Sequence, residues 1–151
     1  MLGMQIRLRA VRLPDLPVFF EHQCDAEAAD MAGFVPRARS AFDEHWCKIM
    51  SGPMFIVRTI EADGKVAGYV SAFPRDDRSE IAYWLGREYW GKGIGKAAVE
   101  AFLKLHLERP LFGAVSIKNL GSLAILRRCG FEFYAEETGA DGFQEHILRL
   151  S

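Results

Sequence analysis

The sequence predicts a single domain of the mixed α+β class, in which a mostly antiparallel sheet contains one parallel junction. Runs rich in β-formers flank the turn Ala62-Asp63-Gly64, which is typical of a hairpin. Between residues 80 and 118 a strand-like, a helix-like and a second strand-like run follow one another, which favours a parallel crossover. A length of 151 residues suits one domain, spanning residues 1–151, that can bury its own core.

Composition and charge exclude several classes of function. Hydrophobic residues make up 50%, charged residues 26%, and the net charge of -1 gives no general attraction to nucleic acid or to an anionic membrane. The cysteines Cys24, Cys47 and Cys129 are odd in number and far apart, which favours reduced thiols. No signal peptide and no run of ~18 apolar residues is apparent. We expect a soluble cytoplasmic protein with neither nucleic acid nor membrane as a partner.

The first third of the chain predicts one strand and two helices. Met4 to Leu13 alternates as a strand would, and Pro14 ends it. Asp15 is placed to cap the first helix and Ser40 the second. The stretch from Asp25 to Arg39 between them reads as a mobile connection.

The middle of the chain predicts a hairpin followed by a central strand. The hairpin strands are Met54 to Ile60 and Lys65 to Phe73. A charged turn, Pro74 to Arg78, separates them from the run Glu80 to Leu85, which is apolar on both faces as in a strand inside a sheet.

The second half predicts a helix, a strand, a helix and a final hairpin. Gly130 is suited to a left-handed conformation after the second of these helices. The predicted elements are Ala97 to His106, Phe112 to Lys118, Asn119 to Arg128, and the strands Phe131 to Glu137 and Phe143 to Leu150 around the turn 139–142.

The glycine-rich stretch from Trp90 to Lys96 lies between the central strand and the following helix. Its sequence, Trp-Gly-Lys-Gly-Ile-Gly-Lys, offers backbone N–H groups at a helix N-terminus, where phosphate binds well. The spacing G-x-G-x-G differs from the G-x-G-x-x-G of dinucleotide-binding folds. Ala97 stands where a nucleotide-triphosphate loop needs Ser or Thr.

A second block of residues follows the glycine-rich stretch further along the chain. It consists of Asn119 to Ser122, then Leu126 and Cys129-Gly130-Phe131. The two blocks together resemble the GNAT superfamily of acetyl-coenzyme-A-dependent N-acetyltransferases, and the resemblance spans nearly the whole chain. Trp90 departs from the Arg or Gln usual at that position. Trp followed by G-K-G, and the strand Glu80 to Leu85, are similar to the branch of ribosomal-protein N-terminal acetyltransferases.

The resemblance implies a GNAT-like fold, with a twisted sheet, a splayed parallel strand pair and about four flanking helices. It also implies acetyl-CoA as co-substrate, with main-chain amides of Lys92 to Lys96 holding the pyrophosphate and Leu85 bonding the pantetheine arm. The implied cofactor-binding residues are Trp84, Leu85, Trp90, Gly91, Lys92, Gly93, Ile94, Gly95, Lys96, Asn119 and Ser122.

Two residues are candidates for proton transfer. An amine must be neutral to attack a thioester, and Glu80 at the start of the central strand is the candidate to assist its deprotonation. Many superfamily members carry a tyrosine, which protonates the leaving thiolate, where this chain has Leu126. Ser122 is the next candidate donor, with helix capping beside Asn119 as its other role. Coenzyme A thiolate could also leave without a dedicated acid.

Other reactive side chains are given structural roles. Tyr83, Tyr89 and Tyr134 are expected to pack, and Cys129 to be a small buried residue. The pairs His22/Cys24 and His45/Cys47 lie two apart on predicted helices and point to different faces, so no metal site is predicted.

The predicted activity is acetyl transfer from acetyl-CoA to a primary amine within a ternary complex. The acceptor stays open among a protein N-terminus, an amino acid, a polyamine and an antibiotic-like amine. Its specificity is expected to lie in Asp25 to Arg39 and the last hairpin. A non-catalytic acyl-CoA-binding or regulatory module is the alternative, and a homodimer is common among proteins that this chain resembles.

Overall fold

The structure, a computed structural model, describes residues 4–139 and 142–151. Seven strands form one sheet, and five α-helices are found among the described residues, one more than the sequence predicts. The strands are β1 (Ile6–Arg9), β2 (Ile56–Ala62), β3 (Lys65–Arg75), β4 (Arg78–Leu85), β5 (Leu111–Ser116), β6 (Glu132–Thr138) and β7 (Gln144–Leu150). The helices are α1 (Asp15–Cys24), α2 (Ala26–Ala32), α3 (Arg39–Ser51), α4 (Ile94–Leu105) and α5 (Leu120–Arg128).

The strand order in the sheet is β1-β2-β3-β4-β5-β7-β6. The first four strands pair antiparallel in chain order, and β5, β7 and β6 also pair antiparallel. The only parallel pair described joins β4 to β5, and α4 connects these two strands. The predicted mixed α+β class with one parallel junction is confirmed.

The predicted hairpin between β2 and β3 is confirmed, including its two-residue turn. Asp63 and Gly64 have φ angles of 50° and 81°, as a tight hairpin turn with a left-handed backbone requires. The next predicted turn, Pro74 to Arg78, is too long. Pro74 pairs with Ser79 in the ladder, so β3 and β4 extend further and only residues 76 and 77 separate them.

Two apolar clusters cover the two faces of the sheet. The larger cluster packs α4 and α5 against β2 to β5, with Phe102 and Leu126 fully buried in it. The smaller cluster packs α1 and α3, through Phe19 and Trp46, against the other face. Neighbouring residues of β3 belong to different clusters, because side chains alternate between the faces of a strand.

Asp15 does not cap α1, contrary to the prediction. The N-cap position is Pro14, which makes no side-chain capping bond, while the Asp15 carboxylate is buried and turned toward the sheet. There it accepts hydrogen bonds from Arg9 at 2.8 and 2.9 Å, from the Arg12 N–H at 2.8 Å and from the Thr59 hydroxyl at 2.8 Å. A strong ion-pair partner nearby outweighed the local capping preference, so Asp15 ties α1 to β1 and β2.

The segment predicted as a mobile connection, Asp25 to Arg39, contains α2. Asp25 is the N-cap and accepts from the N–H groups of Glu27 and Ala28, and Gly33 ends the helix with φ 64°. The prediction missed it because seven residues with several alanines carry little hydrophobic periodicity. Ser40 does not cap α3, which begins one residue earlier and has Ala38 at its N-cap.

The second half follows the predicted order. Helix α4 begins at Ile94, three residues before the predicted start, and Asn119 caps α5 by accepting from the Ser122 N–H at 3.1 Å. Gly130 has the expected positive φ, 98°. The last hairpin is confirmed, although Ala140 and Asp141 of its turn lie outside the described residues. None of the described helices is long and apolar enough to span a membrane.

The buried Asp15 carboxylate predicts a pH-dependent loss of stability. Burial acts to raise the pKa of Asp15, but the hydrogen bonds from Arg9, the Arg12 N–H and Thr59 outweigh it, so the pKa lies below its ordinary value. We expect Asp15→Asn to lower the free energy of unfolding at pH 7 by about 3 kcal/mol, because it leaves the Arg9 guanidinium without this partner.

Urea denaturation at several pH values measures this effect. A depressed pKa stabilises the fold above the unfolded-state pKa near ~3.9, and this contribution is lost as pH falls through the folded-state pKa. The difference between wild type and variant should therefore shrink in acid. Asp43→Asn is the control, because Asp43 pairs with Arg39 on the solvent-exposed face of α3. Equal effects of the two substitutions would contradict the role assigned to Asp15.

Candidate active site

The sheet opens where β4 and β5 diverge. Their parallel pairing consists of three residue pairs and ends at Ile81 with Gly113. Beyond this point β5 continues to pair with β7 as far as Ser116, while β4 runs on to Leu85 beside β3. The main-chain groups of β4 after residue 81 therefore face a gap, in which an extended ligand bearing amides could take the place of a strand.

A cavity of about 600 Å³ occupies this gap and the space next to it. Its walls are the C-terminal end of β4, the glycine-rich turn with the start of α4, the first turns of α5 and one face of α2. The residues along these walls are Ala28, Met31, Ala32, Tyr83, Trp84, Leu85, Tyr89, Trp90, Gly91, Gly93, Ile94, Gly95, Lys96, Lys118, Asn119, Leu120, Gly121, Ser122, Ala124, Ile125 and Arg128.

The structure thus brings together most of the residues predicted to bind the cofactor. Trp84, Leu85, Trp90, Asn119 and Ser122 all line the cavity. So does the glycine-rich stretch, except for Lys92, which lies within the turn but is not one of the lining residues. Their assignment as cofactor ligands stays a prediction.

The glycine-rich turn requires glycine for two different reasons. Gly91 and Gly93 have φ angles of 71° and 78°, a conformation that other residues rarely adopt, and an added Cβ on either would meet nothing within 4 Å. An added Cβ on Gly95 would lie 2.8 Å from Cδ1 of Ile125, so this glycine lets α4 and α5 approach closely. Gly93 is the N-cap of α4, which directs the first N–H groups of the helix toward the cavity end formed by the turn.

Trp90 joins this turn to the end of β4. Its Nε1–H donates to the carbonyl of Leu85 at 3.1 Å, and the indole is about one-third exposed at the cavity wall. The Leu85 carbonyl, predicted to bond a pantetheine arm, already accepts this hydrogen bond, but an oxygen of this type has a second lone pair. The tryptophan therefore fixes the position of the turn relative to the strand.

Three cationic side chains line the cavity. They are Lys96 at the start of α4, Lys118 before α5 and Arg128 at the end of α5. Lys96 forms an ion pair with Glu100 at 2.7 Å, and the hydrogen bond and charge of that carboxylate raise the pKa of Lys96. Together with the N-terminus of α4, these charges favour an anionic ligand such as a phosphate ester.

Ser122 and Tyr83 meet across the cavity wall. The Ser122 Oγ lies 2.5 Å from the Tyr83 hydroxyl oxygen, and the Ser122 carbonyl, 3.3 Å from that hydroxyl, is a second acceptor to which the phenol can donate. Asn119, not Ser122, supplies the side chain that caps α5, so the Ser122 hydroxyl is not used for capping. Burial raises the pKa of Tyr83 to about 12, although the hydrogen bond between Tyr83 and Ser122 opposes this shift.

The sequence predicts only a packing role for Tyr83. Alternation along β4 places it with Ile81 and Leu85 on the face covered by α4 and α5, which is the face of the cavity. That alternation and the proximity of Tyr83 to the glycine-rich turn were the available signals. The contact with Ser122 depends on tertiary packing and could not be read from the sequence.

Glu80 lies outside the cavity lining and has its own ion pairs. Its side chain is 2% exposed, and its two carboxylate oxygens are bound by Arg75 at 3.3 Å and Arg78 at 3.0 Å. Arg78 also pairs with Glu137 of β6 at 3.0 Å. Glu80 therefore links β4 to its neighbours electrostatically, and its predicted role as a base stays a prediction.

The wall formed by α2 was not predicted from the sequence. Its residues Ala28, Met31 and Ala32 line the cavity, and Phe34 just after it makes an edge-to-face contact with Trp84 at 5.3 Å. Arg87 in the short 3₁₀ turn at Arg87–Tyr89 pairs with Asp25 at 2.9 Å and with Glu27. These ion pairs hold α2 against the connection between β4 and the glycine-rich turn.

The remaining reactive groups lie apart from one another. No cluster of three or more metal-ligating side chains occurs in residues 4–139 and 142–151. Cys24 and Cys47 are exposed. Cys129, predicted to be a small buried residue, is partly buried against the core, and this burial raises the pKa of its thiol. Leu126, at the position where many superfamily members carry a tyrosine, is a fully buried core residue packed against Gly113.

A family model described as "Acetyltransferase (GNAT) domain" matches residues 5–132. The chain belongs to the GNAT acetyltransferase family. The protein is therefore an enzyme of the acetyltransferase class, as the sequence predicted. No curated protein matches the chain in sequence.

Solved GNAT structures share the fold at low sequence identity. The aminoglycoside acetyltransferase AAC(6')-Ib in complex with coenzyme A is 18% identical with a TM-score of 0.80, over 97% of this chain and 95% of that one. A spermidine N-acetyltransferase from Vibrio cholerae, in complex with CoA and spermine, is 17% identical with a TM-score of 0.80, over 96% and 93%. RimL, a ribosomal L7/L12 alpha-N-protein acetyltransferase in complex with CoA, is 16% identical with a TM-score of 0.79, over 96% and 93%. These likenesses confirm the predicted fold.

Substitution of a glycine in the glycine-rich turn tests whether this turn binds the ligand. A control glycine with a similar backbone conformation separates the loss of ligand contacts from the backbone strain. We expect Gly93→Ala to weaken coenzyme A binding at least ~10-fold, because a Cβ at positive φ displaces the N–H groups at the start of α4. Gly64→Ala is the matched control. Gly64 also has positive φ and open space around it, but it lies in the β2–β3 turn away from the cavity.

Isothermal titration calorimetry with coenzyme A measures binding, and thermal unfolding measures the shared strain. Both substitutions should lower stability by about 1 kcal/mol, since both force alanine into a left-handed conformation. Equal affinities of the two variants for coenzyme A would rule out the glycine-rich turn as the phosphate site.

Proposed function

We propose that this GNAT enzyme transfers the acetyl group of acetyl-CoA directly to a primary amine within a ternary complex. The observation that carries the proposal is the cavity between β4 and α5, which connects the glycine-rich turn at the N-terminus of α4 to a hydroxyl pair through a gap in the sheet. Family membership supports acetyl transfer, and the geometry supplies a reason for each part of the co-substrate to bind.

The proposed position of acetyl-CoA follows from charge and shape. The pyrophosphate would contact the N–H groups of residues 92–96 with Lys96 and Arg128 nearby. The amide-bearing pantetheine arm would then lie in the gap beside Leu85 and donate or accept main-chain hydrogen bonds there. The thioester would reach the region of Tyr83 and Ser122, where β4 has already separated from β5.

The proposed reaction forms an N–C bond and breaks a C–S bond. The amine nitrogen loses one proton to water, the sulfur gains one from a donor, and water returns a proton to that donor. The neutral amine attacks the thioester carbonyl, and main-chain N–H groups of the open strand stabilise the negative charge on oxygen. The C–S bond then breaks and its electron pair stays on sulfur, which requires a proton. Ser122 is proposed as the donor, because its hydroxyl lines the cavity and Asn119 relieves it of capping.

The acceptor amine is proposed to enter beside α2 and the last hairpin. The structures similar in fold include enzymes whose titles name an aminoglycoside, a spermidine and a ribosomal-protein substrate, so an amine acceptor is the shared chemistry. The proposed acceptor is a protein N-terminus or a small-molecule amine. A cytoplasmic location and a homodimer also stay predictions.

A thiol-release assay tests the proposal. Purified protein is mixed with acetyl-CoA and a panel containing a peptide with a free N-terminus, an amino acid, spermidine and an aminoglycoside. We expect free coenzyme A to accumulate with at least one amine and acetylated product to match it in amount. Tight binding of coenzyme A without turnover on any of these amines would favour the alternative, a non-catalytic acyl-CoA-binding module, which the buried Leu126 in place of a tyrosine suggests.

Glu80→Gln separates the two roles that Glu80 could have. Because both carboxylate oxygens are engaged by Arg75 and Arg78 and the side chain is outside the cavity lining, we expect a loss of about 2 kcal/mol in stability and an unchanged kcat. Urea denaturation and a pH profile of kcat measure the two effects. Glu44→Gln, which breaks an exposed ion pair with Lys48, is the control for stability.

A large fall of kcat in Glu80→Gln would instead support the predicted role of Glu80 as a general base. A fall of kcat by ~10²-fold, with loss of the acid limb of the pH profile and normal coenzyme A binding, is what removal of a general base produces. Glu80 would then have to reach the amine through water, since its side chain does not line the cavity.

A further inference from the structure

We propose that Tyr83 is a further residue of the proton-transfer machinery, in which Tyr83 and Ser122 form one donor pair at the opening of the sheet. Ser122 protonates the departing sulfur, and Tyr83 donates its phenolic proton to Ser122. The inference rests on the proposed function, because it concerns the same transfer step.

The geometry of the two hydroxyls carries the inference. The two oxygens are 2.5 Å apart, a close approach for two hydroxyl groups, and one of them must be the donor. Ser122 Oγ–H is free to point into the cavity when the tyrosine is the donor. Tyr83 also has the Ser122 carbonyl at 3.3 Å as an alternative acceptor, so it can change partner without losing its hydrogen bond.

The surroundings hold both groups in place. Asn119 fixes the first turn of α5 through the Ser122 N–H, and Tyr83 is held in β4 by pairing with Val70 of β3. The tyrosine ring packs against the main apolar cluster, and the residue also lines the cavity, from which water can reach its hydroxyl. A phenol with a pKa of about 12 stays protonated throughout the pH range in which amines are acetylated, so Tyr83 can donate a proton throughout that range.

The pair also accounts for Leu126. A leucine there fills the core and offers no proton, and Ser122 lies one turn earlier on the same helix. A serine hydroxyl alone is a weak acid, and a second hydroxyl that donates to it stabilises the charge that forms when the serine proton leaves. The phenol of Tyr83, a residue of β4, supplies that second hydroxyl.

The step is balanced in atoms and charge. As the C–S bond breaks, sulfur gains the electron pair and takes the Ser122 proton, and the Ser122 oxygen takes the Tyr83 proton. The phenolate that results is reprotonated by water, and the hydroxide formed is neutralised by the proton that the amine nitrogen loses. The products are the N-acetyl amide and coenzyme A with a free thiol.

A double-mutant cycle tests the pair. The variants are Tyr83→Phe, Ser122→Ala and the double substitution, assayed with the amine that gives the best turnover in the wild type. We expect each single variant to lower kcat by ~10²-fold with little change in KM for acetyl-CoA, since a general acid contributes ~10²- to 10⁴-fold. We expect the double variant to be no slower than the slower single one, because the two groups act as a unit.

Tyr69→Phe is the matched control. Tyr69 is a partly buried tyrosine of the adjacent strand β3, and burial raises its pKa to about 12 as well, but it packs against Phe19 and Trp46 on the other face of the sheet. Its substitution should leave kcat unchanged. Coenzyme A binding, measured by calorimetry, should be the same in the wild type and in Tyr83→Phe, which excludes a loss of the fold.

A ring-fluorinated tyrosine at position 83 adds a readout that a structural role would not change. Its phenol is more acidic, and an acid must be protonated to act, so kcat should fall as pH rises through the lowered pKa. The wild type should show no such fall below its own pKa. Cys129 is the other titratable group acting on Tyr83, and Cys129→Ser should retain the fluorotyrosine effect.

The possible outcomes distinguish the two proposals. Turnover by the wild type with an unchanged kcat in Tyr83→Phe, or losses that multiply in the double variant, would overturn the pair and leave acetyl transfer intact. No turnover by the wild type on any amine would overturn both, since there would be no leaving thiolate to protonate. A change in KM alone would assign Tyr83 to binding and reject it as a donor.

Discussion

The divergence of β4 from β5 is the constraint on which the rest of the site depends. Three parallel pairs are enough to join the two antiparallel halves of the sheet, and the pairing then ends so that a cavity can open. Gly113, in the last parallel pair, allows α5 to lie close to β5. A Cβ on this residue would lie 2.8 Å from Leu126 and would push α5 outward. With α5 close to β5, its first turn faces the end of β4, and the glycine-rich turn, the cations and the two hydroxyls all border one space.

The order of the elements could be predicted from the sequence because each depends on local chemistry. The Asp63-Gly64 turn, the alternation in β4 and the Asn119 cap all act within a few residues, and all three are found in the structure. Helix α2 was missed because its alanines pack through size rather than periodicity. Asp15 was misassigned because its strongest partner, Arg9, lies on a different element.

The candidate site also has parts that could be predicted from the sequence and parts that could not. The glycine-rich turn could be found because positive φ angles and a helix N-terminus require particular residues at fixed spacing. The contact between Tyr83 and Ser122 and the α2 wall could not, since they arise only when β4, α5 and α2 are brought together. Glu80 shows the converse: its position at the start of a central strand predicts chemistry, but Arg78 on the same strand and Arg75 across the β3–β4 turn bind its carboxylate. Both arginines are close to Glu80 in the sequence, but the pairing of Pro74 with Ser79 that brings Arg75 to it was predicted to be a turn.

The outermost strand, β6, affects how copies of the molecule can associate. It forms one edge of the sheet, and most of its residues, including Glu132, Glu136 and Glu137, are exposed. An exposed edge offers unpaired main-chain groups to any other strand, and charged side chains are a common protection against this. If two copies paired through β6, glutamates from both would be brought to one ladder, where like charges repel. The acidic edge thus disfavours growth of the sheet into larger assemblies and leaves other surfaces for any dimer.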